Sequence, residues 1–260
     1  MTLQRPISLI AIAGLAGLGA LATDRPAAAE IAGEPFVYDV AGTAFEGYVA
    51  RNTDLAETRG TVILIHDWDG LTDYEMRRAE MLAALGYTAF AVDLYGQAED
   101  PQSVEEYQQL TGALYGDREI FRERLMGSLE AAADIPGATE DVVVLGYCFG
   151  GAAVLEMARA GAETAGFVSF HGGLGLPEGQ DYSAVGAPML LLHGSADPVS
   201  GMADLAALLD HLTEAGVEHD AQVFGGARHS FTIWGSNDYD NEADRGSWEA
   251  LLAFLDEHLD

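Results

Sequence analysis

A chain of 260 residues, 49% hydrophobic and 21% charged, is long and apolar enough to bury one large core. Its 42 acidic residues against 12 basic ones give a formal net charge of −30, a surface that repels nucleic-acid phosphates and anionic lipid, so neither is expected as a partner. All 12 basic residues are arginines, which excludes Schiff-base, phosphate-loop lysine and Ser-Lys chemistry, and a single cysteine, Cys148, excludes an intramolecular disulfide.

The first 29 residues stand apart. Arg5 precedes an apolar run from Ile7 to Ala22; Ala27-Ala28-Ala29 before Glu30 then offers an A-x-A cleavage site, and Ala20-Leu21-Ala22 an earlier one. The pattern predicts a secretory signal peptide over residues 1–29. The alternative is an uncleaved anchor, but the run is shorter than the ~20 residues that span a bilayer. The expectation is an exported protein, periplasmic or secreted, with residues 30–260 as a single domain, no stable membrane association after cleavage, and a monomer or weak homodimer in solution. The acidity suits a saline exterior, or simply solubility.

Beyond that segment, "FVYDVAGTAFEGYVAR" (Phe36 to Arg51) alternates about a Gly-Thr turn and predicts an antiparallel hairpin at a sheet edge. Apolar, β-branched runs then alternate with helical periodicity, the pattern of a mostly parallel sheet covered on both faces. Strands are expected at Thr61–His66, Tyr87–Asp93, Val142–Tyr147, Gly166–Gly172, Pro188–Gly194 and His219–Gly226. Helices are expected at Tyr74–Gly86, Ser103–Leu114, Arg118–Ala133, Gly150–Ala160, Met202–Ala215 and Asp244–Leu259.

The run Val142–Tyr147 leads into "GYCFGG", the order strand, Gly-x-Cys-x-Gly, helix of a nucleophile elbow with sulfur at the apex. So sharp a turn tolerates only small neighbours, hence Gly146 and Gly150 on either side of Cys148. A helix N-terminus favours a thiolate, and the Phe149 N–H would supply one half of an oxyanion hole. In α/β-hydrolases an acid and then a histidine follow the nucleophile, each on a loop after a strand. "LLLHGSADPVS" places Asp197, and "VFGGARHSF" places His229, in that order. Asp197 could also be a turn or cap residue before Pro198. Of the other histidines, His211 and His258 fall within helices, His219 opens a strand, and His66, His171 and His193 end strands, where they line a pocket or hydrogen-bond within the core.

At these residues the chain resembles the dienelactone hydrolase family, α/β-hydrolases with a Cys-Asp-His triad. The resemblance is carried by "GYCFGG", "HGSADP" and "GARHSF", with "VDLYG" (Val92 to Gly96) in support, and runs from about Phe36 to Leu259. It implies the α/β-hydrolase fold, no cofactor or metal, and a small-molecule ester or lactone substrate. It also implies a carboxylate after an early strand that contacts and helps activate the thiol. In "IHDWDG" that place is taken by Asp67, with Asp69 as second candidate and the Trp68 N–H as the other oxyanion donor. Considered alone, "HDWD" could equally be a metal-binding cluster or a polar loop.

The dienelactone-cleaving members hold their substrate's carboxylate with two arginines, one of them four positions after the histidine. Ile233 stands there, which argues against dienelactone itself. Arg118, Arg122 or Arg124 could fill the other role, though their spacing better suits a solvated helix face. Trp234, Phe231, Tyr147 and Trp68, with His171, are the expected pocket residues. The leading expectation is thus an exported thiol hydrolase of esters or lactones. The alternatives are a generic carboxylesterase or thioesterase, and a non-catalytic ligand-binding protein retaining the fold.

Overall fold

The structure is a computed structural model describing residues 30–259, so the expected signal peptide over 1–29 lies outside the described residues. In chain order the elements are β1 (Ile31–Val40), β2 (Thr43–Asn52), β3 (Thr61–Ile65), α1 (Asp73–Ala84), β4 (Thr88–Val92), α2 (Val104–Gly116), α3 (Arg118–Ala132), β5 (Val142–Tyr147), α4 (Phe149–Arg159), β6 (Gly166–Phe170), β7 (Met189–Gly194), α5 (Met202–Ala215), β8 (His219–Phe224) and α6 (Asn241–His258). The strands form one sheet in the order β1-β2-β4-β3-β5-β6-β7-β8. β1 pairs antiparallel with β2, and β2 with β4; every other pairing is parallel.

The inner strands read as unbroken apolar runs because both of their faces are buried. Their period-two alternation divides each strand between two cores. Ile63, Val144, Phe167 and Leu191 face Phe121 and Leu125 of α3, Val154 of α4 and Leu208 of α5. Val62, Leu64, Val143, Leu145 and Leu190 face Leu82 of α1 and Leu251 and Leu255 of α6. Burying a leucine-sized side chain contributes roughly 2 kcal/mol, so these two layers supply most of the driving force.

Several boundaries differ from expectation by a few residues, and three of them have a clear local reason. β1 begins at Ile31, five positions before Phe36, because its backbone pairs with β2 as far as Asn52. α6 begins at Asn241, where the Asp240 carboxylate accepts from the Glu242 and Ala243 amides as an N-cap. α1 begins at Asp73 behind a Thr72/Glu75 capping box.

The arginines of α3 do not form a solvated face. Arg118 Nη1 and Arg122 Nε lie 2.9 and 2.7 Å from the fully buried Glu156 of α4, which also binds Arg159 at 2.8 Å. Arg124 donates to the Leu94 and Tyr95 carbonyls. Three guanidinium groups answer one carboxylate that would otherwise be costly to bury.

Candidate active site

The carboxyl ends of the parallel strands lie on one side of the sheet, where crevices in open α/β sheets form. β5 ends at Tyr147 and α4 starts at Phe149, leaving Cys148 at the apex with φ 51° and ψ −106°. The flanking glycines are a steric requirement. A Cβ on Gly146 would stand 2.3 Å from the Gly150 backbone, and one on Gly150 would stand 2.2 Å from the Ile65 carbonyl. A side chain at Gly146 would push α4 off β5, and one at Gly150 would push it off β3.

His229 lies on the loop after β8, and its Nε2 is 2.9 Å from Cys148 Sγ. Its Nδ1 is 2.8 Å from Asp197 Oδ2 on the loop after β7. With the carboxylate accepting from Nδ1–H, the Nε2 lone pair is left facing the thiol. Asp197 Oδ1 meanwhile accepts from the Val199 and Ser200 amides, so the residue is at once a turn former and the partner of the imidazole. Burial pushes the Asp197 carboxyl up, but His229 and those amides outweigh it and hold it below the usual range.

Asp67 sits beside the thiol. Its Oδ1 accepts from the Trp68 N–H at 2.5 Å, its own amide donates to Glu75 Oε1 at 3.3 Å, and its carboxyl faces the Cys148 thiol. Burial raises the Asp67 pKa to about 6, partly offset by the hydrogen bonds from Cys148 and Trp68. Burial likewise raises Glu75 to about 7. For Cys148, burial and then the charge and hydrogen bond of Asp67 raise the thiol well above its ordinary value, although a hydrogen bond from the Phe149 amide works the other way. The pull of the helix terminus toward a thiolate is here opposed by desolvation and by a neighbouring carboxylate. Of the two expected oxyanion donors, the Phe149 N–H points at the sulfur, and the Trp68 N–H is engaged by Asp67.

A cleft of about 360 Å³ opens over the sulfur, lined by Trp68, Thr111, Tyr115, Phe149, Val199 and His229 among others. Of the expected pocket residues only Trp68 lines it. Tyr147, Phe231 and His171 are buried beneath it, and Trp234 packs to one side, edge-on to Tyr74 at 5.0 Å and over the Arg78 guanidinium. His66 and His193 are core residues, with His66 Nε2 accepting from the Leu94 amide and His193 Nε2 bonded to the Ser200 carbonyl. Among the described residues no group of three or more His, Cys, Asp or Glu is placed to hold a metal ion.

Sequence reasoning missed Thr111 and Tyr115. Their i, i+4 spacing shows that they share a face of α2, but nothing local shows that α2 crosses the end of β5. Glu75 was visible as the fourth residue of "TDYE", a capping-box pattern that says nothing of its reach to Asp67.

Comparison with known proteins bears on the family and the fold. The chain is 23% identical over 228 residues to a Yersinia pestis protein named as a carboxymethylenebutenolidase, covering 84% of this chain and 85% of that one. It is 24% identical over 254 residues to a Saccharolobus solfataricus protein of the same designation, covering 84% and 96%. Among solved structures, a dienelactone hydrolase-like promiscuous phosphotriesterase from metagenomic libraries superposes with a TM-score of 0.82 at 30% identity, covering 88% of this chain and 99% of that one. The model of the dienelactone hydrolase family matches residues 45–259. With that match, and with an eight-stranded, mostly parallel sheet carrying an antiparallel N-terminal hairpin, the chain belongs to the dienelactone hydrolase family and has its α/β-hydrolase fold.

Proposed function

We propose that this protein hydrolyses a small ester or lactone through an acyl-enzyme on Cys148, with His229 as general base and acid and Asp197 as its orienting partner. The observation that carries the reading is the line Sγ to Nε2, 2.9 Å, and Nδ1 to Oδ2, 2.8 Å, at the floor of a cleft. His229 Nε2 takes the thiol proton as sulfur attacks the substrate carbonyl. The Phe149 and Trp68 amides hold the resulting oxyanion, the latter once Asp67 has let it go. Collapse breaks the C–O bond, and His229 returns the proton to the leaving oxygen. A water, deprotonated by His229, then cleaves the thioester and frees the acid and the thiol.

The thiol begins protonated, so Asp67 acts in this reading as a local charge that substrate binding rearranges. The walls suit a neutral, partly aromatic molecule. The deciding test is turnover of p-nitrophenyl acetate by the wild type and Cys148→Ala. Loss of turnover, together with a trapped acyl group on Cys148 in the wild type, supports the reading; equal turnover removes it. A panel of lactones, esters, thioesters and neutral phosphotriesters then separates a lactonase from a general carboxylesterase or thioesterase.

The high thiol pKa is the observation that favours a second reading, a ligand-binding protein retaining the fold. That reading predicts binding of aromatics without turnover. For location, we infer export directed by residues 1–29, supported by the run from Ile7 to Ala22 and the Ala27–Ala29 site; an N-terminus at Glu30 in the exported protein is the expected result. Residues 30–260 then act as a single domain, a monomer or weak homodimer by size-exclusion chromatography.

A further inference from the structure

His171 follows β6 and is fully buried, yet it takes a left-handed backbone, φ 38°, which is strained for a side chain of its size. Both ring nitrogens are used. Nδ1 accepts from the Cys148 backbone N–H at 3.2 Å, a hydrogen shared with the Phe170 carbonyl at 3.0 Å, and Nε2 lies 2.8 Å from Thr232 Oγ1. An acceptor at Nδ1 fixes the neutral tautomer, with Nε2–H donating to the threonine.

Thr232 stands three positions after His229 on the same loop, fully buried and held from a second side. Tyr74 OH donates to Thr232 Oγ1 at 2.8 Å, and Arg78 Nη2 donates to the Thr232 carbonyl at 3.2 Å. Arg78 Nε also donates to Tyr74 OH, and its guanidinium pairs with Asp244. One short path therefore runs from the nucleophile's backbone, through an imidazole, to the loop carrying the base, and ends on the rigid α1. The His171 ring also meets the His229 ring edge to face at 5.4 Å. Burial, and then the nearby His229, keep His171 well below its ordinary pKa, so it stays neutral beside a base that must become cationic.

We propose that His171 and Thr232 form a positioning bridge which sets the distance between the Cys148 thiol and the His229 imidazole. The inference rests on the reading that these two groups react together. Neither bridge residue touches substrate; the bridge acts by clamping two loops that no hydrogen bond in the sheet connects directly, since β6 and β7 lie between β5 and β8.

The test is p-nitrophenyl acetate kinetics, corrected for folded fraction, on the wild type, Cys148→Ala, Thr232→Val, Thr232→Ser and His171→Asn. Thr232→Val keeps the shape and removes the hydroxyl; kcat is expected to fall about 10- to 100-fold with KM within about twofold, the signature of misplaced reacting groups. Thr232→Ser is expected to restore most of it. His171→Asn tolerates the left-handed backbone and retains an acceptor for Cys148 but cannot reach Thr232, so it should show the same loss. The double variant should lose no more than either single one. A wild-type kcat in Thr232→Val, with Cys148→Ala inactive, overturns the bridge and leaves the reaction standing. If Thr232→Val does not fold, a wild-type kcat in His171→Asn overturns it equally. Full turnover in Cys148→Ala overturns both.

Discussion

The Asp67 carboxylate and the Trp68 amide close on each other at 2.5 Å, so one of the two amides expected to meet a substrate oxygen is already taken by the neighbouring side chain. The same carboxylate faces the thiol. In the proposed reading the resting protein thus holds a protonated nucleophile and a covered oxyanion site, and moving one short side chain would uncover the amide and take a charge away from the thiol.

The first prediction concerns pH. Asp67, raised by burial to about 6, is protonated in the folded state at a pH where the unfolded chain is ionised. The stability it contributes is therefore present below about pH 4 and lost as pH rises through about 6. Asp67→Asn should stabilise the fold more at pH 8 than at pH 4.5, by on the order of 1–3 kcal/mol, read as a larger rise in melting temperature at the higher pH. With the carboxylate's charge gone, iodoacetamide should label Cys148 faster at pH 7.5 in the variant than in the wild type. Equal labelling rates would remove Asp67 as the group that keeps the thiol protonated.

A second prediction follows from the three hydrogen bonds of Asp197. Asp197→Asn keeps an oxygen for the Val199 and Ser200 amides but can present its NH₂ to His229 Nδ1, which turns Nε2 into a donor toward the sulfur. Esterase kcat should fall by roughly a thousandfold or more. Circular dichroism and melting should stay near wild type, because the turn survives.

Glu156 provides a structural contrast. Burial raises its carboxyl, but its arginine partners outweigh that and hold it below the usual range; the stability this lends is present at neutral pH and lost as the protein is acidified. Glu156→Ala leaves Arg159 buried without its counterion and should cost about 3–5 kcal/mol, a fall in melting temperature on the order of 10 °C. Turnover per folded molecule should change little, as measured below the new melting transition.

Tyr115 tests the cleft. It is 38% exposed, lines the wall above Cys148 and stacks edge-on against Phe149 at 5.6 Å. Tyr115→Ala should raise KM for aromatic esters by about tenfold while changing kcat less, since it removes contact area that ground and transition states share. A smaller effect on acetate esters of aliphatic alcohols would show which part of the substrate the ring meets.

The sequence determined by itself whatever depends on neighbours along the chain. Unbroken apolar runs made β3 to β7 buried strands, glycines two residues either side of Cys148 made the turn, and the order Cys148, Asp197, His229 placed the three candidate catalytic side chains on the loops after β5, β7 and β8. Those features need only local sterics and periodicity, and α5 matches its expected bounds, Met202 to Ala215. Tertiary structure alone decided which side chains share the space around the sulfur. Tyr147, Phe231 and His171 are as apolar or aromatic as pocket residues should be, but strand direction and loop path put them under the site. α2, distant in sequence, brought Tyr115 and Thr111 over it. The charge state of the thiol was decided in the same way. A helix N-terminus can be read from a sequence, whereas desolvation and the carboxylate of Asp67 act through space, and here they are the larger effects.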